Sequence, residues 1–378
     1  MAPIQPFPAT RYADYPRDPA LDAAVKQIGL LPQFSRLGIA LMDLSSPLDG
    51  LPYGGANDER NFFIASTAKL LPMHAGCQLL QALDDALSGA ARSSGENGTS
   101  IINLATAQLR TLAASAYWNR FPRDHPNIAE ILAVTPDPAG PGWQVKFVET
   151  GKNWPPVNNP IEAPLAIVRP LKFWERFQLM VGASNDCASM TCIQDIGFQY
   201  INGLLEKAGL FDLRTNTGLW LGAAYSVDCN QTSSKWAQVP GGGMFPNDTG
   251  FQIGSARALA KLLTLIDQGK LVSNAASTIM LNLMSKHFGF PGSITKSFFL
   301  EALRQSPPGG APLTGLNAFS KLGMAPSANS DAAIIERDLR PGTNIRYVAV
   351  GLGEAGNLNG QLLHQLILQL DACIASRH

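Results

Sequence analysis

Apolar residues recur three and four positions apart along several stretches of the chain, which is the spacing of one face of an α-helix. Residues 18–31 show this pattern and stop at Pro32, so they predict a first amphipathic helix. The pattern also predicts a helix from Ser66 through Leu83. Further helices are predicted over 101–118, 171–181, 200–210, 255–268, 275–284 and 357–374, with one more that residues 184–186 would cap.

Short apolar runs bounded by turn residues predict strands near both ends of the chain. Residues 37–44 form the first, with 61–65 as the end of its hairpin partner across the turn-rich stretch 45–58. Three more strands, joined by short turns, are predicted over 317–321, 331–336 and 345–352. Because strands stand at both ends and helices between them, we expect one sheet completed by both termini, with a helical domain inserted.

This order of elements predicts where the domains begin and end. Residues 1–72 and 286–378 would form the sheet domain, and residues 73–285 would form the helical domain. A stretch near 87–165 is rich in Gly, Ser, Pro and Asn and resembles an insertion. Residues 143–149 predict a short strand inside it.

The composition indicates a globular chain with ample material for a core. Of its 378 residues, 46% are hydrophobic and 15% are charged. Lys and Arg together number 29, as do Asp and Glu, so the formal net charge is zero. No basic or acidic block is present, which argues against nucleic acid or an anionic membrane and favours a small neutral or zwitterionic partner. No stretch approaches 18 uninterrupted apolar residues, so we expect no membrane span.

The cysteines and histidines indicate no cofactor. The five cysteines are scattered and none forms a Cys-x-x-Cys pair, so we expect reduced or incidental thiols. The five histidines show none of the spacings that bind a metal ion, so we expect no metal. Residues 1–16 lack the apolar core of a signal peptide, and the protein is expected to be cytoplasmic unless a leader was removed.

Candidate chemistry lies at Ser66, where the predicted strand 61–65 gives way to a long apolar helix. Lys69 follows three residues later, and positions i and i+3 share one face of a helix. A serine hydroxyl becomes a good nucleophile when a base takes its proton, and a lysine acts as that base when its pKa falls. Lowering a lysine pKa to near 7 takes about 4–5 kcal/mol, through desolvation or a second cation. Residues 293–296 repeat Ser-x-x-Lys, but in a Gly- and Pro-bounded loop without this context.

Two later motifs complete a set with the Ser-Thr-Ala-Lys of residues 66–69. They are Ser-Asn-Asp at 184–186 and, on a predicted strand, Lys-Leu-Gly at 321–323. In this order the three motifs resemble the Ser-x-x-Lys, Ser-Asp-Asn and Lys-Thr-Gly set of the penicillin-binding proteins and class A β-lactamases. The resemblance implies an α/β (α+β) fold in which an antiparallel sheet is flanked by helices and joined to an all-helical domain.

The same resemblance implies a role for each matching residue. Ser66 would be the acylated nucleophile, and Lys69 would be a general base or proton acceptor. Ser184 would relay a proton to the leaving group, and Lys321 would be the second cation. The backbone N–H groups of Ser66 and Met324 would form the oxyanion hole. The substrate-binding residues would be Asp186, Gly323 and Met324.

Three departures from the family pattern bear on function. Asp186 stands where the family has asparagine, and its carboxylate would favour a charged Lys69 unless it is protonated or points elsewhere. Leu322 replaces a Thr or Ser whose hydroxyl, in the family, helps to bind the substrate carboxylate. No glutamate lies between Glu206 and Glu301, where class A β-lactamases carry the base for deacylation.

These features lead to one main hypothesis and two alternatives. The main hypothesis is a serine hydrolase that forms an acyl-enzyme on Ser66 and acts on an amide or ester of a small-molecule or peptide-like substrate. Efficient hydrolysis of β-lactams by the class A route is not expected. The first alternative, prompted by Asp186 and Leu322, is a catalytically weak binding or sensory module that keeps the fold. The second is a glutaminase-like amidase of the same superfamily.

Overall fold

The computed structural model describes residues 7–46, 50–94, 126–132, 159–222, 252–285, 297–305, 312–354 and 360–378, with the separate positions 103, 106, 107, 157, 225 and 229. Three sequence predictions lie outside these residues: most of the helix over 101–118, the strand over 143–149 and the second Ser-x-x-Lys at 293–296. The predicted insertion near 87–165 is described at its two ends, over 126–132 and at single positions.

The strands from both ends of the chain share one sheet. The strands are β1 (Gly38–Asp43), β2 (Tyr53–Ala56), β3 (Phe62–Phe63), β4 (Phe211–Asp212), β5 (Thr217–Gly218), β6 (Trp220–Leu221), β7 (Gln252–Gly254), β8 (Asn317–Ala325), β9 (Ala328–Arg340) and β10 (Thr343–Glu354). The main sheet is antiparallel and has the order β2-β1-β10-β9-β8. A small second sheet has the order β3-β7-β6, and β4 pairs with β5. The predicted α+β fold, with an antiparallel sheet flanked by helices, is confirmed.

Most helices lie between these strands in the sequence. They are α1 (Pro19–Leu30), α2 (Leu70–Ser94), α3 (Ile128–Leu132), α4 (Leu165–Val168), α5 (Phe173–Gly182), α6 (Asp186–Ile196), α7 (Phe198–Lys207), α8 (Ala256–Asp267), α9 (Asn274–Ser285), α10 (Phe298–Gln305) and α11 (Gly360–Ala375). A 3-10 turn over Ala65–Lys69 leads directly into α2. This turn contacts β8 as well as α2, so it lies where the main sheet meets the helices.

Alternating side chains of the central strands divide the core in two, because successive residues of a strand point to opposite faces of the sheet. On β10, Val348 and Val350 belong to the cluster that includes residues of α2 and of α5 to α9. Tyr347 and Ala349, on the other face, belong to the cluster built with α1, α10 and α11. The sheet is therefore covered by helices on both faces, and the turn that carries Ser66 lies on the first.

The strand predicted to pair with β1 in a hairpin, over residues 61–65, is the wrong one. β1 pairs with β2, which lies inside the turn-rich stretch 45–58, whereas β3 pairs with β7 in the small sheet. Two glycines in β2 explain why the sequence suggests a turn there. A Cβ on Gly54 would lie 2.7 Å from Leu21 O, so glycine lets α1 pack directly on the backbone of β2.

The proposed division into two domains, near residues 72 and 286, stays a prediction. α8 falls within the predicted helical part and contacts β1, β9 and β10 of the main sheet. Among the helices over the described ranges, none is both long and apolar enough to cross a membrane.

Candidate active site

Ser66 lies at the turn between β3 and α2. Ala65, immediately before it, has a φ of 44°, a left-handed conformation that residues with a Cβ rarely adopt. Ser66 itself is half-buried, and within the described part of the chain its hydroxyl has no hydrogen-bond partner. A free hydroxyl at the entry of a long helix, beside backbone N–H groups, is suited to attack a carbonyl group.

Hydrogen bonds fix this turn against β8 and β9. Ser330 Oγ donates to Ile64 O at 2.9 Å, and Thr67 Oγ1 donates to Lys321 O at 3.1 Å. Gly323 permits this close approach, because a Cβ there would lie 2.3 Å from Ile64 O. The substrate contact predicted for Gly323 stays a prediction.

Lys69 points from the turn toward the start of α6. Its side chain is fully buried, and its amine donates to Ser184 O at 2.6 Å and to Ser184 Oγ at 3.1 Å. Asp186 Oδ1 lies 2.5 Å from the same amine and forms an ion pair with it. The Asp186 side chain is 38% exposed, so solvent screens part of this attraction. The ion pair still favours the ammonium form of Lys69, which is the effect that the sequence suggested for a carboxylate at this position.

Ser184 occupies the turn between α5 and α6 and has a left-handed φ of 57°. Asn185 caps α6 by accepting a hydrogen bond from Ala188 N at 2.7 Å. The Asn185 amide also donates to the carbonyl oxygens of Pro160 and Ala163, each at 3.0 Å. In the swapped order of the second motif, Asn185 therefore holds the start of α6 in place, and the carboxylate of Asp186 lies beside Lys69.

Lys321 reaches the same serine from β8. Its amine donates to Ser184 Oγ at 2.8 Å and to Leu322 O at 2.9 Å. Burial lowers the pKa of Lys321 well below its ordinary value, and the nearby Lys69 ammonium lowers it further, whereas two carboxylates oppose the shift. The two lysines therefore differ: one is ion-paired, and the other is buried under conditions that favour the neutral amine.

The structure brings most of the predicted residues together. Lys69, Ser184, Asp186 and Lys321 are in direct contact, and Ser66 lies on the same turn as Lys69. The side chain of Met324 lies at the edge strand β8 and is 42% exposed. Leu322 is buried. Among the described residues, no group of three or more His, Cys, Asp or Glu side chains could hold a metal ion.

Tyr225 is a site residue that the sequence patterns missed. Its hydroxyl donates to Ala65 O at 3.0 Å, next to the proposed nucleophile. The centroid of its ring lies 4.7 Å from Lys69 Nζ, within the range of a cation–π contact. The family resemblance implies a glutamate in this part of the chain, and no motif singles out a tyrosine.

A disulfide beside the site contradicts the prediction of reduced thiols. Cys187, which follows Asp186, is bonded to Cys229, 42 residues away. The prediction is wrong for this pair, whereas Cys77, Cys192 and Cys373 are free. A separation of 42 residues in the sequence carries no sign of this pairing.

The fold and the site together define a class of protein. A Ser-x-x-Lys turn, a serine between two buried lysines, and an antiparallel sheet beside a helical layer form the arrangement expected of the serine enzymes whose motifs this chain resembles. Residues 164–350 match the sequence model of the β-lactamase enzyme family. The matched segment and the shared fold support the serine β-lactamase and penicillin-binding-protein superfamily.

Solved structures with the same fold include several β-lactamases. A β-lactamase from Chitinophaga pinensis aligns with a TM-score of 0.50 at 14% identity, over 94% of this chain and 98% of its own. A variant of the extended-spectrum β-lactamase TLA-1 gives 0.50 at 12% identity, over 94% and 97%. PBP-A gives 0.49 at 17% identity, over 95% and 97%. A search of the curated proteins found no match.

Proposed function

We propose that the chain is a serine hydrolase that forms an acyl-enzyme on Ser66, with an amide or ester of a small-molecule or peptide-like compound as substrate. The observation that carries this proposal is the contact of Ser184 Oγ with the amines of both Lys69 and Lys321, beside the turn of Ser66. A connected set of hydroxyl and amine groups can move protons between the attacking and the leaving group.

The proposed acylation step uses these groups as follows. Ser66 Oγ attacks the carbonyl carbon, and its proton passes to the neutral amine beside Ser184, the form that burial favours at Lys321. The bond from the carbonyl carbon to the leaving nitrogen or oxygen breaks as Ser184 Oγ donates its proton to that atom. Ser184 then regains a proton from Lys69 or Lys321, both of which lie within 3.1 Å of its hydroxyl. Protons and charge therefore balance within the site.

The negative charge that develops on the carbonyl oxygen needs hydrogen-bond donors. We assign this role to the backbone N–H groups of Ser66 and Met324, the residues that begin the helix turn and follow the Lys-Leu-Gly motif. Loss of one such donor typically slows a hydrolase by about 100- to 1000-fold. The rigid placement of the Ser66 turn against β8 supports this assignment.

Two features argue against efficient hydrolysis of β-lactams. Leu322 has no hydroxyl with which to bind a substrate carboxylate. Residues 207–300 contain no glutamate, and Tyr225, one of the described residues of this stretch, contacts Lys69. A deacylating water would therefore lack the carboxylate base that class A β-lactamases use.

Mass spectrometry of the intact protein tests the proposal directly. After exposure to a fluorophosphonate probe, we expect one covalent adduct, mapped to Ser66 by peptide sequencing. The Ser66→Ala variant should show no adduct. Ser293→Ala is the matched control, because it removes the serine of the second Ser-x-x-Lys, and it should react like the unchanged protein. Equal reaction of the Ser66→Ala variant would reject the proposal.

A catalytically weak binding or sensory module is the second candidate, and the Lys69–Asp186 ion pair is the observation that favours it. An ammonium held by a carboxylate cannot accept the Ser66 proton, so acylation would be slow. This candidate predicts no turnover across a panel of esters, amides and β-lactams. Ser66-dependent hydrolysis of any member of the panel would exclude it.

A further inference from the structure

Tyr225 contacts the peptide group that links Ala65 to Ser66. Its hydroxyl donates to Ala65 O at 3.0 Å, and both residues are buried. The donor of this hydrogen bond lies outside the 3-10 turn, 160 residues further along the chain. The preceding carbonyl, Ile64 O, is held separately by Ser330 Oγ at 2.9 Å. Two successive carbonyl groups before the nucleophile are thus held by groups from other elements.

The position of Ala65 O determines the direction of the Ser66 N–H. A trans peptide group is planar, and its C=O and N–H bonds point in opposite directions. A hydrogen bond that holds the carbonyl therefore also holds the N–H. Ala65 adopts a left-handed φ of 44°, which is costly for a residue with a Cβ and needs support from its surroundings. Tyr225 supplies part of that support.

The disulfide connects Tyr225 to the other side of the site. Cys229 lies four residues after Tyr225, and its partner Cys187 is the second residue of α6. Four extended residues span at most about 14 Å, so the bond confines Tyr225 to the neighbourhood of the α6 entry. That entry carries Asp186, which is paired with Lys69. The segment of Tyr225 is thus cross-linked to the element that holds the lysine.

We infer that Tyr225 is a positioning residue that sets the Ser66 N–H for its role in the oxyanion hole, and that the Cys187–Cys229 disulfide keeps it in place. This inference rests on the proposed function, because it assumes that Ser66 is acylated. If the inference holds, the reaction of Ser66 depends on the redox state of the Cys187–Cys229 pair, although neither cysteine takes part in the proposed reaction steps.

The first experiment removes only the hydroxyl of the tyrosine. Tyr225→Phe keeps the ring beside Lys69 and loses the hydrogen bond to Ala65 O. We expect the rate constant for fluorophosphonate labelling of Ser66 to fall about 10- to 100-fold. This decrease is no larger than the one that removal of a whole oxyanion-hole donor causes. The affinity for benzeneboronic acid, which forms a tetrahedral adduct on a serine, should fall by a similar factor. Tyr12→Phe is the matched control, because Tyr12 also donates its hydroxyl to a backbone carbonyl, Leu271 O, and should leave both values unchanged.

The second experiment tests the disulfide through non-additivity. Replacing Cys187 and Cys229 by serine together should slow labelling of the otherwise unchanged protein by about the same factor as Tyr225→Phe. In the Tyr225→Phe background the same replacement should add less than about threefold, because both changes release the same peptide group. Reduction of the folded protein with a phosphine, followed by circular dichroism, repeats the measurement without a mutation and shows whether the fold persists.

The outcomes separate this inference from the proposed function. If the unchanged protein labels on Ser66 and Tyr225→Phe labels within twofold of it, the positioning role is wrong and the proposed function stands. If the effects of Tyr225→Phe and of disulfide loss multiply, the disulfide does not act through Tyr225. If Ser66 of the unchanged protein does not react at all, both the proposed function and this inference are rejected.

Discussion

His74 gives a prediction about acid stability that follows directly from burial. It lies on α2, one to two turns after Lys69, and its side chain is completely buried. Neither ring nitrogen has a hydrogen-bond partner among the described residues. Burial without a partner penalises the charged imidazolium, and it lowers the pKa of His74 from 6.5 to about 3.

The lowered pKa determines the sign of the effect. Between pH 6.5 and 3 the unfolded chain binds a proton at His74 and the folded chain does not, so the free energy of unfolding falls as the pH falls. Each unit of difference between the pKa values of His74 in the unfolded and the folded chain is worth about 1.4 kcal/mol, so the whole shift is worth about 5 kcal/mol of unfolding free energy. Between pH 7 and pH 5 the loss due to His74 is about 2 kcal/mol.

Buried carboxyl groups act in the opposite direction over the same range. Burial raises the pKa of Asp331 to about 6, and burial likewise raises the pKa of Asp195 to about 6. The folded chain binds protons at these groups before the unfolded chain does, so they stabilise the fold as the pH falls from about 6 to 4. The histidine effect must therefore be measured as a difference between two proteins.

Urea unfolding of the unchanged protein and of His74→Leu at pH 7 and pH 5 provides that difference. We expect the unfolding free energy of the variant, relative to the unchanged protein, to rise by about 2 kcal/mol on going to pH 5. Met73→Leu is the control, because Met73 is a buried neighbour without a titrating group. Its unfolding free energy should differ from that of the unchanged protein by the same amount at pH 7 and pH 5. A His74→Leu difference that does not change with pH would refute the reasoning, because it would mean that His74 gains its proton equally in both states.

Three further predictions concern the site and the core. Asp186→Asn removes the carboxylate beside Lys69 and should speed fluorophosphonate labelling of Ser66 about tenfold; slower labelling would mean that the ion pair supports the reaction. Leu322→Thr introduces a hydroxyl that can bind a substrate carboxylate. It should raise the rate of labelling by benzylpenicillin, relative to labelling by an uncharged ester, about tenfold. An unchanged ratio would contradict a carboxylate-binding role for a hydroxyl at this position. Asp371→Asn breaks a buried ion pair with Arg337 whose contacts are 2.7 and 2.8 Å, and should cost about 3–5 kcal/mol in urea unfolding, whereas a cost below about 1 kcal/mol would show the pair to be dispensable.

Local patterns predicted the parts of the site that depend on a few neighbouring residues. Ser66 and Lys69 are one turn apart, so their spacing shows that they share a face. Ser184 follows a helix and precedes an N-cap, and Lys321 lies on a strand, both of which are visible in the sequence. The helix and strand propensities of these segments agree with the elements that they form in the fold.

The features that the sequence did not reveal all depend on contacts between distant segments. β2 contains two glycines and resembles a turn, and its place in the sheet follows from the close packing of α1 upon it. Tyr225 follows β6 and Ala65 follows β3, and these two strands belong to the same small sheet although they are far apart in the sequence. The pairing of Cys187 with Cys229 likewise depends on where α6 begins. Side-chain periodicity carries information on the face of an element but not on its partner.

The charges of the site bear on the kind of substrate it accepts. Lys69 and Asp186 compensate each other, and burial favours the neutral amine at Lys321. A substrate carboxylate would therefore meet a site of nearly zero net charge, without the hydroxyl that Leu322 replaces and beside an Asp186 side chain that is 38% exposed. Like charges at short range repel, and a hydrogen bond from a buried amine would have to offset both that repulsion and the cost of desolvating the carboxylate. This balance supports an uncharged amide or ester as the substrate of the proposed hydrolase.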